Sequence, residues 1–137
     1  MASITIPYAV ADFIEMRERG FYYVDKTDYI PKLEDYNAPV FLRPRRFGKS
    51  IFLSMLYSYY DCNQKESFEK LFGSLWIGQH PTSLQGIYQV LFLDFSQITG
   101  KIEVLEERFN AYLCIKLDSF AEQYAAYYGD KKVQEIK

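Results

Sequence analysis

Residues 43–50 read R-P-R-R-F-G-K-S, between an apolar run and a second apolar stretch. Binding a phosphate takes neutralising charge and backbone N–H groups aimed at the anion, and a helix that starts after a buried strand supplies both. The stretch has the length of the pattern G-x-x-x-x-G-K-[ST]. Gly48 lets the backbone approach the phosphates, Lys49 reaches the β- and γ-phosphates, and the Ser50 hydroxyl binds Mg²⁺. Arg45, Arg46 and Phe47 complete the expected phosphate-binding stretch. The departure is Arg43, where the pattern has glycine. Pro44 pushes Arg43 towards extended backbone, so the preceding strand is expected to run one residue longer. Arg43, Arg45, Arg46 and Lys49 put four positive charges into seven residues. Arg45 and Arg46 suit a γ-phosphate or a neighbouring site, or equally a nucleic-acid backbone. The plain alternative is a basic surface turn that contains GKS.

Other chemistry-bearing residues are sparser. Asp25 suits a helix cap and Lys26 a surface cation. Asp94 ends the apolar run V-L-F-L and is a weak candidate for Mg²⁺, because Phe95 stands where a second acid would help hold metal and water. His80 lacks neighbours that would make a metal site. Cys62 and Cys114 have no zinc spacing and read as buried thiols. No Ser–His–Asp or Cys–His arrangement is present.

These candidates need elements to position them. The chain has 137 residues, is 49% hydrophobic and carries a net charge of −2, which points to one globular domain and away from a generally basic nucleic-acid binder. Its 13 Tyr and 11 Phe read first as core and half-buried rings. The start "MASITIPYAV" lacks a basic segment with a sustained apolar core, so a soluble cytoplasmic protein without membrane contact is expected. Helical spacing of Val10, Phe13 and Ile14 predicts a helix over 10–19, with Gly20 as its C-terminal cap. Strands are expected at "FYYV", at "PVFL" (39–42) and at "YQVLFLDFS" (88–96). Helices are expected over "DKTDYIPKLED", from about Lys49 to Tyr60, over 67–75, and from Glu103 to about Tyr128, ending at Gly129. Strands spaced by helices imply an α/β fold with a parallel sheet.

The motifs together carry a resemblance. "YVDKT" at 23–27 and "RPRRFGKS" at 43–50, with "LFGSLWIG" and "YQVLFLDFS" further on, resemble the AAA-ATPase-like family, over about residues 4–100. The resemblance implies a Walker A motif in which Arg43 is the family's own variant, with ATP and Mg²⁺ as cofactors. It brings Asp25 and Lys26 towards the nucleotide's base or ribose. It implies a P-loop NTPase of which this chain is an N-terminal portion. In that division, 4–36 hold helix, strand and helix, 39–60 hold strand, loop and helix, and 61–137 hold further helices and the second core strand. The family's later acidic Walker B strand has no counterpart here, so hydrolysis by these residues alone is not expected. The resemblance also implies a larger polypeptide with a nuclease-like domain of the PD-(D/E)XK type, of which no pattern occurs in this sequence. Unpaired apolar strand edges would favour a homodimer or aggregation. Two other readings stay open: a non-catalytic remnant with an empty loop, and a nucleic-acid-binding module using the loop arginines.

Overall fold

The computed structural model describes residues 5–6, 10–42 and 48–128. Arg43, Arg45, Arg46 and Phe47, and the expected helix end at Gly129, lie outside the described residues.

The expected α/β architecture does not form. Among the described residues there is no β-strand and no sheet, and helices dominate. Among the described residues the pairing is reduced to two isolated parallel bridges, Thr5 with Phe21 and Asp61 with Tyr88. A short apolar run signals burial, but a strand exists only where a partner supplies a ladder of hydrogen bonds. In "PVFL" one residue in the middle finds cover: the Phe41 ring meets Phe52 edge-on at 5.3 Å, while Val40 and Leu42 are each 79% exposed. In the run 88–96, Tyr88 is bridged, but Leu91, Phe92 and Phe95 are exposed, and Phe95–Gln97 closes into a 3₁₀ turn. "FYYV" is likewise a single bridge, with the Tyr22 N–H donating to Thr5 O.

The chain divides into two compact units at Val90 and Leu91, inside the run expected to be the second strand. In the first, α1 (Phe13–Glu18) starts at Asp12, whose carboxylate accepts from the Ile14 and Glu15 N–H groups. A 3₁₀ turn at Thr27–Tyr29 leads into α2 (Ile30–Glu34), where Pro31 sits in the first turn and removes no helical hydrogen bond. Then follow α3 (Lys49–Tyr60), α4 (Phe68–Phe72) and α5 (Trp76–Gln79).

The core of this unit collects one face of each helix: Phe13, Ile30, Met55, Tyr59, Leu71, Phe72, Leu75 and Ile77 are buried. Phe13 is its hub, stacked on Phe72 at 4.9 Å and edge-on to Tyr23 at 5.3 Å. Polar groups fix the register of α3 against it. The Phe13 N–H donates to Ser54 Oγ, Tyr60 OH donates to Glu34 Oε1, and Thr82 N–H donates to Tyr59 OH. Burial and the Glu34 hydrogen bond push the Tyr60 phenol well above its ordinary pKa, so it stays a donor.

In the second unit, α6 (Ile102–Gln123) confirms the long helix, but it ends at Tyr124 (φ −109°, ψ 20°) before a short α7 (Ala125–Tyr128). The Phe95 ring packs on Phe109 at 5.6 Å, and Asp94 N–H donates to Tyr112 OH at 2.6 Å. No helix among the described residues is long and apolar enough to cross a membrane.

Candidate functional site

The helix expected from Lys49 to Tyr60 has those bounds, and Gly48 stands at its N-cap with φ 78° and ψ 23°. That left-handed backbone is open to glycine and costs other residues about 1–2 kcal/mol. Gly48 O accepts from Phe52 N–H, the first bond of the helical ladder. Lys49 and Ser50 follow in the first turn and both are exposed. The N–H groups of a first helical turn lie beyond the ladder, and the helix dipole adds positive potential there. No side chain at the N-cap position takes up those donors.

A second segment converges on this turn. A Cβ on Gly48 would stand 3.7 Å from Lys26 Nζ and 3.4 Å from Ile51 Cγ2. Lys26 is brought there by its two neighbours. Asp25 Oδ1 accepts from the Thr27 N–H at 2.9 Å and from Thr27 Oγ1 at 2.6 Å, and Oδ2 accepts from the Trp76 N–H at 2.7 Å. Thr27 is buried, and its Oγ1 accepts from the Ile77 N–H at 3.1 Å. Asp25 and Thr27 thus cap the first turn of α5 from outside and hold the backbone on both sides of Lys26. Burial raises the Asp25 pKa, but the Thr27 side chain, the Thr27 and Trp76 N–H groups and Arg17 outweigh it, so the carboxyl sits below its ordinary value. Asp25 is therefore a charged clamp, and Lys26 is the member of the pair that faces the helix start.

Beside Gly48 the two segments border an open cleft of about 390 Å³. Tyr22, Tyr23 and Val24 line it from one segment, Ile51 and Phe52 from α3, and Met16 from α1, with Lys26 and Gly48 also in the lining. Burial, then the Asp25 charge, push the Tyr23 phenol up to about 12, with a backbone hydrogen bond from Lys26 opposing. The apolar lining residues were missed as site candidates from sequence. The available signal was the position of "FYYV" directly before Asp25 and Lys26.

Asp94 lies in the second unit. Its Oδ1 accepts from Ser96 N–H at 3.0 Å and Ser96 Oγ at 2.6 Å, and these bonds hold its pKa low. Asp94 is thereby the cap of a local turn. Among the described residues no group of three His, Cys, Asp or Glu side chains could hold a metal ion. His80 stacks on Trp76 at 4.5 Å and its Nδ1 contacts Trp76 O. Cys62 is partly buried and Cys114 exposed, so the expectation of two buried thiols does not hold.

A family model described as Predicted AAA-ATPase matches residues 7–136. The chain belongs to this predicted AAA-ATPase family. Its match spans both the Asp25–Thr27 clamp and the Gly48–Ser50 turn. A relative from Azotobacter chroococcum mcd 1, named "Uncharacterized protein in vnfD 5'region", is 33% identical over 114 residues. That alignment covers 77% of this chain and 21% of the relative, so the chain spans about a fifth of the relative's length. No solved structure matches.

Proposed function

We propose that this member of the predicted AAA-ATPase family binds ATP with Mg²⁺, its phosphates held at the first turn of α3. The observation that carries the reading is the left-handed Gly48 opening α3, with exposed Lys49 and Ser50 behind it and the Lys26 ammonium beside it. In this reading the Gly48–Ser50 backbone lies against the phosphates, Lys49 neutralises them and the Ser50 hydroxyl takes a place on Mg²⁺. Arg45 and Arg46 add charge from the preceding loop. Mg²⁺ arrives with the nucleotide and keeps several waters, which suits a site with one hydroxyl ligand. The bound metal–nucleotide supplies the electrophilic phosphorus, and these residues bind and orient it.

Calorimetric titration with Mg²⁺–ATP tests the reading. Lys49→Ala removes a charge-assisted contact to the phosphates and is expected to weaken binding by about tenfold or more. Equal ATP affinity in wild type and Lys49→Ala overturns the assignment.

A further inference from the structure

Helix α6 carries a regular stripe that is largely apolar and in good part exposed. Ile102, Glu106, Phe109, Leu113, Lys116 and Phe120 follow one another in steps of four, three, four, three and four residues. That is the spacing of a coiled-coil seam, and it keeps these residues on one face of the helix. Ile102 is 85% exposed, Phe109 37% and the flanking Leu117 40%. Glu106 is exposed, and Leu113, Lys116 and Phe120 are half-buried. Within the unit, Phe109 meets Phe95 and Phe120 meets Tyr124. Lys116 Nζ lies over the Tyr112 ring at 5.6 Å, and its charge helps to hold the Asp94 carboxyl low. Glu106 and Lys116 thus put opposite charges into a stripe where a seam ordinarily holds apolar side chains. Ten residues of helix separate them, about 15 Å, so they do not pair with each other within one chain.

We propose that this face is the contact surface for a second copy of the chain, with the two α6 helices packed antiparallel as a short coiled coil. The charges choose the occupant and its orientation. When two copies of α6 run antiparallel and are level at residue 111, Glu106 faces Lys116 of the second copy and Lys116 faces its Glu106. In the same register Ile102 faces Phe120 and Phe109 faces Leu113, each twice by symmetry. Asn110 meets its own twin beside the two-fold axis, where one amide donates to the other. The contact runs over about 27 Å of helix. A parallel pair in register would instead set Glu106 on Glu106 and Lys116 on Lys116. Sliding the antiparallel pair by one heptad seats Lys116 on Leu113 in one direction and Glu106 on Phe109 in the other. Each of these alternatives sets a charge against a like charge or an apolar side chain, which is costly. The Glu106–Lys116 pairs therefore fix orientation and register, while the apolar positions supply the attraction. The inference stands apart from the nucleotide reading, because it uses residues of the second unit alone.

Sedimentation equilibrium of the full 137-residue chain tests the proposal by charge exchange. Wild type is expected to dimerise with a dissociation constant on the order of 10 µM. Glu106→Lys sets ammonium against ammonium across the contact, and Lys116→Glu sets carboxylate against carboxylate. Each variant alone is expected to associate at least about tenfold more weakly. An equimolar mixture of the two is expected to regain wild-type association, because every meeting of positions 106 and 116 is again between opposite charges. The chain carrying both substitutions is expected to regain it as well. A thermal melt checks that each variant is folded. Ile102→Asp, at the most exposed position of the stripe, supplies the same reading should a charge variant fail to fold, and is expected to weaken the dimer about tenfold. A wild type that stays monomeric up to about 0.5 mM overturns the proposal. So does any folded single variant that associates like wild type, and so does a mixture of the two charge variants that stays monomeric.

Discussion

Lys26 Nζ lies 3.7 Å from the point that a Cβ on Gly48 would occupy, so the two motifs of this chain meet in one place. Twenty-one residues separate them in sequence, and the described part of that interval includes α2 and the "PVFL" run. Contact between them follows from the Asp25–Trp76 and Thr27–Ile77 hydrogen bonds on one side and the packing of α3 on the other.

Gly48→Ala is expected to destabilise the chain by about 1–2 kcal/mol through backbone strain at φ 78°. Among the described residues the nearest atom to such a methyl group is 3.4 Å away, so no packing clash with them adds to the cost. Urea denaturation measures it. A change under about 0.5 kcal/mol would mean that the turn relaxes without cost.

Asp25→Ala leaves the Thr27 and Trp76 N–H groups without their carboxylate. The expected loss is about 1–2 kcal/mol, set below the sum of charged hydrogen bonds because Asp25 is largely exposed. The sign with pH follows from the lowered folded-state pKa. The clamp contributes fully above the ordinary value of 3.8 and is lost as pH falls through the lower folded value. Stability of wild type and Asp25→Ala should therefore converge below about pH 4 and differ near neutrality. A difference that persists at low pH would show that the charge is not what holds the clamp.

Tyr23 gives the opposite branch. Its phenol is raised from 10.0 to about 12 by burial first and the Asp25 charge second. The folded state favours the neutral phenol, so this contribution is present below pH 10 and lost as pH rises through the folded value. Denaturation midpoints are expected to fall between pH 10 and 12, with a smaller fall in Tyr23→Phe. Equal slopes in the two proteins would remove Tyr23 as the cause.

What was legible in the sequence divides by the kind of signal. The bounds of α3 could be read because glycine, a basic residue and a hydroxyl precede a helical apolar pattern, and these are local backbone preferences. The run of α6 could be read from three- and four-residue spacing, but its end at Tyr124 could not, since no breaker stands there. The strands failed because continuous apolar runs report burial and say nothing about a pairing partner. "PVFL" buries one ring against Phe52 and leaves its neighbours in solvent. Asp25 was readable as a cap, but the helix it serves is α5, about fifty residues away, and no local pattern links them. The four-residue α5 itself is too short to show a period.

The last prediction concerns that short helix. Gly78 has an ordinary backbone conformation, so strain in φ is not its reason. A Cβ there would stand 2.0 Å from Phe72 O and 2.7 Å from Phe72 C, atoms of the backbone that ends α4. Backbone cannot swing aside as a flexible side chain can, so Gly78→Ala must move α5 away from α4. Overpacking of this kind costs about 1–3 kcal/mol. The displacement also loosens the α5 N-terminus, where Trp76 and Ile77 donate to Asp25 and Thr27. Gly78→Ala is therefore expected to destabilise the first unit and to weaken Mg²⁺–ATP binding, although residue 78 is not among the residues lining the cleft. Gly78→Ala in a melt, with ATP titration on the folded fraction, reads both effects. Loss of stability with wild-type ATP affinity would show that Lys26 keeps its place without the clamp, and that the α5 contact serves the core alone.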